Sequence, residues 1–243
     1  MTLERLPRPT GSYFGEDGGV TELRERLRAL PSFPPDLPRF DPEHDPADAP
    51  ADPRALFIAW LEEALDAGAP TPQAAVLATA DAAGVVGART LIVKDVTADA
   101  AWLFATHRTS PKARAAEANP HAAMTFFWPT RGRQVRVAGT VRRLPDDAAA
   151  ADFSARPDAS RAATLVGRQS EPLASRAELA DAFDATLARV RAEAGLVDPA
   201  WALYAVDAVR VEFWQAVTGG GAVRWAYERD AVGQPWRAGL LWP

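Results

Sequence analysis

Basic and amide side chains recur within short apolar segments along the central and C-terminal parts of the chain. Arg89 and Lys94 bracket the apolar run in ARTLIVK, and Lys112 follows Ser110 in THRTSPK. Cationic groups bind phosphate oxygens, and an amide group such as that of Gln134 can hydrogen-bond the carbonyls and nitrogens of a ring. The combination predicts a site for an anionic, flat, aromatic ligand such as flavin mononucleotide (FMN).

The segment ARTLIVKDV has the alternation of a β-strand, in which successive side chains point to opposite faces. One face would carry Arg89, Leu91 and Val93, and the other Thr90, Ile92 and Lys94. Taken alone, this is also the pattern of an ordinary strand with a charge near each end. Arg89 and Lys94 therefore indicate a ligand site only together with the segments that accompany them.

The segment THRTSPK carries the signals of a helix start. Ser110 is a good N-cap residue, and Pro111 suits the first helical turn. Capping alone explains these two residues, but it does not explain Lys112, because a cation at a helix N-terminus opposes the helix dipole. A phosphate bound at the free backbone N–H groups would remove this conflict, so we predict a phosphate seat here, beside Thr106.

Further candidates lie on later strands and loops, and each also has an ordinary explanation. Gln134 either belongs to a solvated basic edge with its neighbouring arginines or faces inward toward the ligand. Trp214, in VEFWQ, would by default pack in the core beside Phe213. Loops rich in Arg, Ser and Gln are usually polar surface, which applies to Arg156, Ser160, Arg161, Gln169 and Ser170.

Composition narrows the classes of function. The net charge of -5 disfavours a general nucleic-acid partner, because binding to a phosphate backbone relies on an excess of Lys and Arg. Because the chain has no cysteine, it has no thiolate metal site, and any redox chemistry would require a bound cofactor. The histidines are too scattered to suggest a metal site, and neither a Ser-His-Asp order nor a Gly-rich phosphate loop emerges. The N-terminus lacks a signal-peptide pattern and no apolar run reaches about 18 residues, so we expect a cytoplasmic protein with no membrane partner.

The elements that would position these residues are mainly strands. We expect a proline-rich arm with a short amphipathic piece over residues 1–52, and one domain over residues 53–243. Helices are predicted at residues 53–67, 146–155 and 175–194, and strands at residues 74–80, 85–94, 102–106, 122–128, 134–144, 201–214, 223–229 and 236–241. This hairpin-like order without a strand-helix-strand repeat favours an antiparallel barrel with flanking helices over a doubly wound sheet.

Taken in order, these segments resemble the pyridoxamine 5'-phosphate oxidase family from residue 53 to residue 243. The resemblance is carried by FIAWLEEALDAGAPTPQAAVLATAD, ARTLIVKD, SPKARAAEANP, GRQVRVAGTVRRL, DFSARPDAS, RQSEP, VEFWQ and a closing W-x-x-x-x-L-x-P. It implies a mainly β fold, the FMN-binding split antiparallel β-barrel of Greek-key type. It also implies a homodimer with FMN in each of two clefts at the subunit interface.

The resemblance assigns roles to individual positions. Contacts with FMN fall on Arg89, Thr90, Leu91, Ile92, Val93, Lys94, Ala105, Thr106, Ser110, Lys112, Gln134, Gln169, Ser170, Trp214 and Arg224. In the family a Lys, a Tyr, an Arg and a Ser hold the phosphate of the substrate. Three of these are matched here, by Lys94, Arg156 and Ser160.

The chain departs from the family pattern on the substrate side. Asp152 stands where the substrate Tyr is expected, and its charge would repel a phosphate. The family signature Arg-x-His-Asp-Arg aligns with GGAVR, so Gly220 and Ala222 replace its first Arg and its His, while Arg224 keeps its last Arg. Pro111 stands where an Arg that contacts the FMN phosphate is common. The loss of two or three charged contacts predicts at least ~100-fold weaker binding of the usual substrate.

The resemblance implies an FMN-dependent oxidase that uses dioxygen as acceptor. The first substrate hypothesis is oxidation of pyridoxine or pyridoxamine 5'-phosphate to pyridoxal 5'-phosphate, a step of pyridoxal phosphate biosynthesis. A second hypothesis keeps FMN but takes another planar heterocycle, as in the phenazine-pathway oxidases, which the Thr106-His107 dipeptide resembles. A third is a flavin-binding protein without turnover. No catalytic residue is assigned.

Overall fold

The computed structural model describes residues 18–45 and 47–243, so residues 1–17 and 46 of the predicted arm lie outside the described part. The first described element is α1 (Gly18–Ala29), and the side chains of residues 22–29 are exposed. Residues 30–45 and 47–52 then contain neither helix nor strand, and α2 (Pro53–Asp66) follows. Among the helices of these ranges, none has both the length and the apolar character that crossing a membrane requires.

The predicted helix after the arm is confirmed as α2, and it forms where the sequence supplies a cap and one apolar face. The side chain of Asp52 accepts a hydrogen bond from the first turn, and a proline starts the helix. The ring of Phe57 packs 4.8 Å from that of Phe126, and the ring of Trp60 packs 5.1 Å from that of Phe213. This helix therefore belongs to the hydrophobic core.

Strands make up most of the remaining chain. They are β1 (Ala74–Ala80), β2 (Val86–Val96), β3 (Ala101–His107), β4 (His121–Trp128), β5 (Arg133–Arg143), β6 (Trp201–Ala216), β7 (Ala222–Glu228) and β8 (Arg237–Leu241). The intervening helices are α3 (Pro111–Ala118), α4 (Asp146–Ser154), α5 (Asp158–Leu165) and α6 (Arg176–Ala192), with a single 3₁₀ turn at Pro129–Arg131. These strands pair antiparallel in the order β3-β2-β1-β4-β5-β6-β7-β8. Additional pairing of β3 with β6 closes β1 to β6 into a barrel, which confirms the predicted fold class.

The long strand β6 belongs to both the barrel and its extension. Residues 201–207 of β6 pair with β3, and residues 210–216 pair with β7. β6 passes from β3 to β7 at the point where its pairing with β5 shifts register, between Ala138 and Gly139. This shift is a β-bulge, which lets the strand bend. A Cβ on Gly139 would lie 2.0 Å from the backbone oxygen of Asp207, so only glycine permits this close approach.

The arm packs on the barrel through Phe33, Phe40 and Pro50. Phe40 is only 6% exposed, and its ring meets that of Trp60 edge-on at 5.1 Å. The hydroxyl of Tyr227 donates a hydrogen bond to the carbonyl of Pro50 over 2.6 Å. Although residues 30–45 and 47–52 form neither helix nor strand, this part of the arm contributes an aromatic side chain to the core.

Two segments differ from their sequence-based predictions. The segment DASRAATL was taken as a polar loop, but it forms helix α5, which starts directly after a proline. Arg133 does not lie at a solvated edge, because it is 2% exposed and its guanidinium carbon sits 4.3 Å above the ring of Trp60. Since Arg133 and Val135 take the inward positions of β5, Gln134 faces outward from the barrel rather than inward.

Candidate active site

A cavity of about 930 Å³ lies between β2, β3 and the helices α3, α5 and α6. Its volume is within the range of small-molecule sites. Of the predicted cofactor contacts, it is lined by Arg89, Thr90, Leu91, Ala105, Thr106, Lys112 and Gln169. Segments distant in sequence therefore meet around one space, as a single bound ligand would require.

The start of α3 positions the cation in this cavity. Ser110 is fully buried and caps α3, where its Oγ accepts a hydrogen bond from the backbone N–H of Ala113 over 3.3 Å. Lys112 Nζ donates to Thr106 Oγ1 over 3.1 Å and to Gln169 Oε1 over 3.3 Å. Ser110 thus fixes the helix start, and Lys112 is held on the cavity wall by neutral partners.

Arg89 lies beside Lys112 and is also held without a counter-charge. Its Nη1 donates to the Leu77 carbonyl and to Thr79 Oγ1, each over 3.0 Å. Burial lowers the pKa of Arg89, and burial together with the charge of Arg89 lowers the pKa of Lys112. No carboxylate of residues 18–45 and 47–243 forms an ion pair with either side chain. Two adjacent, uncompensated cations fit a dianion such as the phosphate of FMN.

The opposite wall of the cavity is apolar. It is formed by Val166 and by Leu179, Ala180 and Phe183 of α6, and Trp201 at the start of β6 completes it. Sequence reasoning did not identify these residues as part of the site. The sequence feature that could have revealed this wall is the four-residue spacing of Leu179 and Phe183, which places both on one face of a helix. Such a wall fits a planar ring system.

His107 also lines the cavity, but both of its ring nitrogens face protein groups. Nδ1 lies 2.6 Å from Thr109 Oγ1, and Nε2 lies 3.5 Å from Asp198 Oδ2. The Asp198 carboxylate is itself buried, at 6% exposure. These contacts fix the orientation of the imidazole, so His107 shapes the wall of the cavity.

A second group of predicted contacts lies outside this cavity. Gln134 pairs with Trp214, and Trp214 pairs with Arg224, so the three residues form one row across β5, β6 and β7. Phe213 is buried as predicted, whereas Trp214 is half-buried on the outer face, so its default placement in the core was wrong. Arg224 Nη2 donates to Glu212 Oε1 over 2.9 Å. One chain therefore carries two separate groups of candidate cofactor residues.

The remaining candidates are not on the cavity wall. Ile92, Val93, Lys94 and Ser170 lie outside it, as do Arg156 and Ser160. Lys94 Nζ pairs with Asp152 Oδ1 at 3.1 Å, and Arg156 lies 4.3 Å above the ring of Trp201. Gly220 adopts a positive φ of 115° in the β6–β7 turn, and Ala222 begins β7.

Several named proteins are similar to this chain in sequence. The family model described as pyridoxamine 5'-phosphate oxidase matches residues 61–214, more than half of the chain. A protein of Anaeromyxobacter dehalogenans named pyridoxine/pyridoxamine 5'-phosphate oxidase is 42% identical over 79% of this chain and 96% of its own length. A protein of the same name from Rubrobacter xylanophilus is 38% identical over 79% of this chain and 87% of its own length.

Solved structures show the same architecture. PhzG from Burkholderia lata, solved in complex with tetrahydrophenazine-1-carboxylic acid, matches with a TM-score of 0.77 and 28% identity, over 85% of this chain and 99% of its own. A pyridoxamine 5'-phosphate oxidase-related, FMN-binding protein from Nostoc punctiforme shares the fold, with a TM-score of 0.66 and 21% identity over 79% of this chain and 98% of its own.

FMN is the cofactor that the family match and the cation-lined cavity together support. A flat isoalloxazine ring suits the apolar wall, and a phosphate suits the pair formed by Arg89 and Lys112. The match over more than half of the chain and the 42% identity to a curated relative show that this chain belongs to the pyridoxamine 5'-phosphate oxidase family.

Proposed function

We propose that this chain is an FMN-dependent oxidase of a small heterocyclic or amine substrate, with dioxygen as the electron acceptor. The observation that carries the proposal is the cavity that combines uncompensated Arg89 and Lys112 with an apolar wall. The names of the curated relatives support the same class of reaction.

The residues of the cavity would hold FMN in a fixed orientation. Arg89 and Lys112 would bind its phosphate, and the Thr106 hydroxyl and Gln169 amide beside them would hydrogen-bond the neighbouring chain. Bound FMN would supply the redox chemistry, which is to accept a hydride from the substrate and to pass the electrons to dioxygen. The apolar residues of α6 would exclude water from the reacting faces.

We also propose that the active unit is a homodimer with two sites. Gln134, Trp214 and Arg224 lie on the outer face of the sheet, away from the cavity of their own chain. Two-fold symmetry would allow this row of one chain to face the cavity of the other. Each FMN would then contact both subunits.

Two substrates are candidates for this oxidase. Pyridoxine or pyridoxamine 5'-phosphate is favoured by the names of the sequence relatives. An unphosphorylated planar heterocycle is favoured by the similarity to PhzG, whose structure holds tetrahydrophenazine-1-carboxylic acid, and by the ion pair between Lys94 and Asp152.

Absorbance spectroscopy tests the proposal in two stages. Purified protein should be yellow, and dialysed protein should regain the flavin band when FMN is added. Colourless protein that gains no band would rule out every flavin-dependent function. Anaerobic mixing with the correct substrate should bleach the band, and admitting oxygen should restore it. A flavin band that neither pyridoxine 5'-phosphate nor a reduced phenazine precursor bleaches would favour a binding protein without turnover.

A further inference from the structure

We propose that Asp152 is a specificity-determining residue that excludes phosphorylated substrates, so that the substrate is a planar heterocycle without a phosphate group. The inference rests on the proposed FMN-dependent oxidation and specifies its class of substrate. It concerns the wall of the cavity around Trp201.

A site that holds both FMN and a phosphorylated substrate needs positive charge at two separate places. Arg89 and Lys112 provide one of them. Arg168 also lines the cavity, but its guanidinium is already paired with Glu171 at 3.0 Å and Glu178 at 2.7 Å. Arg176 is exposed, so solvent weakens its attraction for an anion. A second phosphate would therefore depend on cations behind the wall.

Lys94 is neutralised by Asp152, which also contacts Trp201. One carboxylate oxygen of Asp152 lies 3.1 Å from Lys94 Nζ, and the other accepts a hydrogen bond from Trp201 Nε1 over 2.9 Å. The side chains of Lys94 and Asp152 are 32% and 17% exposed, so the pair is largely removed from water. A phosphate at Lys94 would have to displace this carboxylate or lie against its negative charge.

Arg156 is also occupied by protein groups. Its guanidinium carbon lies 4.3 Å above the ring of Trp201, and its Nη1 donates to Thr164 Oγ1 over 2.8 Å. Thr164 in turn donates to the backbone carbonyl of Ser160 over 3.1 Å. Arg156 is therefore packed as a support for Trp201, with Asp152 close enough to compensate part of its charge.

The charge of Asp152 can be removed without removing its contact to Trp201. In Asp152→Asn the amide oxygen can still accept the hydrogen bond from Trp201 Nε1, whereas Lys94 loses its counter-charge. We expect FMN-loaded D152N to bind pyridoxine 5'-phosphate at least about tenfold more tightly than the unchanged protein. Affinity for unphosphorylated pyridoxine should stay the same. Adding Lys94→Met to D152N should cancel the gain.

These affinities are measured by titrating the full-length protein with pyridoxine 5'-phosphate or pyridoxine while the flavin absorbance is recorded. Asp146→Asn is the matched control, because Asp146 lies on the same helix α4 and its side chain is 77% exposed. Flavin content is measured first, so loss of the flavin band in the unchanged protein counts against the proposed function and not against the role of Asp152. If D152N itself loses FMN, Asp152→Ser takes its place.

Two results would overturn the proposal. One is an FMN-loaded D152N or D152S variant whose affinity for pyridoxine 5'-phosphate is no higher than that of the unchanged protein. The other is unchanged protein that already binds pyridoxine 5'-phosphate about 100-fold more tightly than pyridoxine, since such a preference requires a working phosphate seat.

Discussion

Single residues in the cavity carry charge that no carboxylate in the described part of the chain neutralises. Among the residues that the structure describes, hydroxyl, amide and carbonyl groups anchor Arg89 and Lys112, and the pKa of each is lowered. Keeping two cations together without a counter-ion destabilises the empty protein, and an anion relieves this cost. Binding of the FMN phosphate, as proposed, would explain why the pair is kept together.

Replacing Lys112 or Arg89 by Ala should weaken FMN retention. Each change removes a charge-assisted hydrogen bond to the phosphate, which contributes about 1.5–3 kcal/mol, so the dissociation constant should rise by about tenfold or more. Flavin fluorescence titration of dialysed protein measures this constant. Arg114→Ala on the same helix α3 is the control, because Arg114 is exposed. Equal flavin occupancy in K112A, R89A and R114A would refute the assignment.

Tyr227 makes stability depend on pH in the alkaline range. Burial raises the pKa of its hydroxyl from 10.0 to about 12, and this hydroxyl donates to the Pro50 carbonyl. Since the folded state keeps a proton that the unfolded state loses, this stabilisation is complete below pH 10 and is lost as the pH rises through about 12. Tyr227→Phe should cost about 1 kcal/mol at pH 8, and the difference should shrink by pH 11. Urea unfolding at both values measures it, and a constant difference would contradict the prediction.

Sequence patterns predicted the start of α3 better than the apolar wall of the cavity. A cap, a proline and a lysine within four positions explain the start of α3 locally, so Ser110 and Lys112 were recognisable. Trp201 and Phe183 join the cavity only because β6 and α6 fold against it, which is a long-range consequence. The outward direction of Gln134 likewise follows from its neighbours taking the core positions of β5.

At the level of elements, the arm packs against the barrel and shares its hydrophobic core. Proline content predicted the absence of regular structure in residues 31–52, but it gave no sign that Phe40 would be buried against Trp60. The bend of β6 could not be predicted from the sequence either, because it depends on the contact of Gly139 with Asp207 across the sheet. Local signals predicted these elements, whereas their packing depends on distant partners.

Phe40→Ala should destabilise the whole protein. The change removes a ring that is 6% exposed, and the resulting cavity should cost about 3–5 kcal/mol of unfolding free energy. Leu30→Ala is the control, because this large apolar side chain of the arm is 63% exposed. Urea unfolding followed by tryptophan fluorescence measures both variants. An F40A protein as stable as L30A would mean that the arm does not pack on the barrel.

At the scale of the whole molecule, the candidate cofactor residues form two groups on different faces. Lys112 belongs to the cavity, whereas Trp214 belongs to the row on the outer face of β5, β6 and β7. In a two-fold dimer, each complete site would take the cavity group from one subunit and the row from the other. A monomer would leave both groups incomplete.

Mixing two variants that each bind FMN weakly tests this arrangement. Lys112→Ala damages the cavity group and leaves the row intact, whereas Trp214→Ala damages the row and leaves the cavity group intact, so each homodimer has two damaged sites. In the mixed dimer, one site combines both defects and the other is intact. After unfolding and refolding an equal mixture, about a quarter of all sites should bind FMN normally. The control mixture of K112A with R89A should restore none, because both changes affect the cavity group. If the K112A and W214A mixture also restores none, the two groups do not meet across a subunit interface.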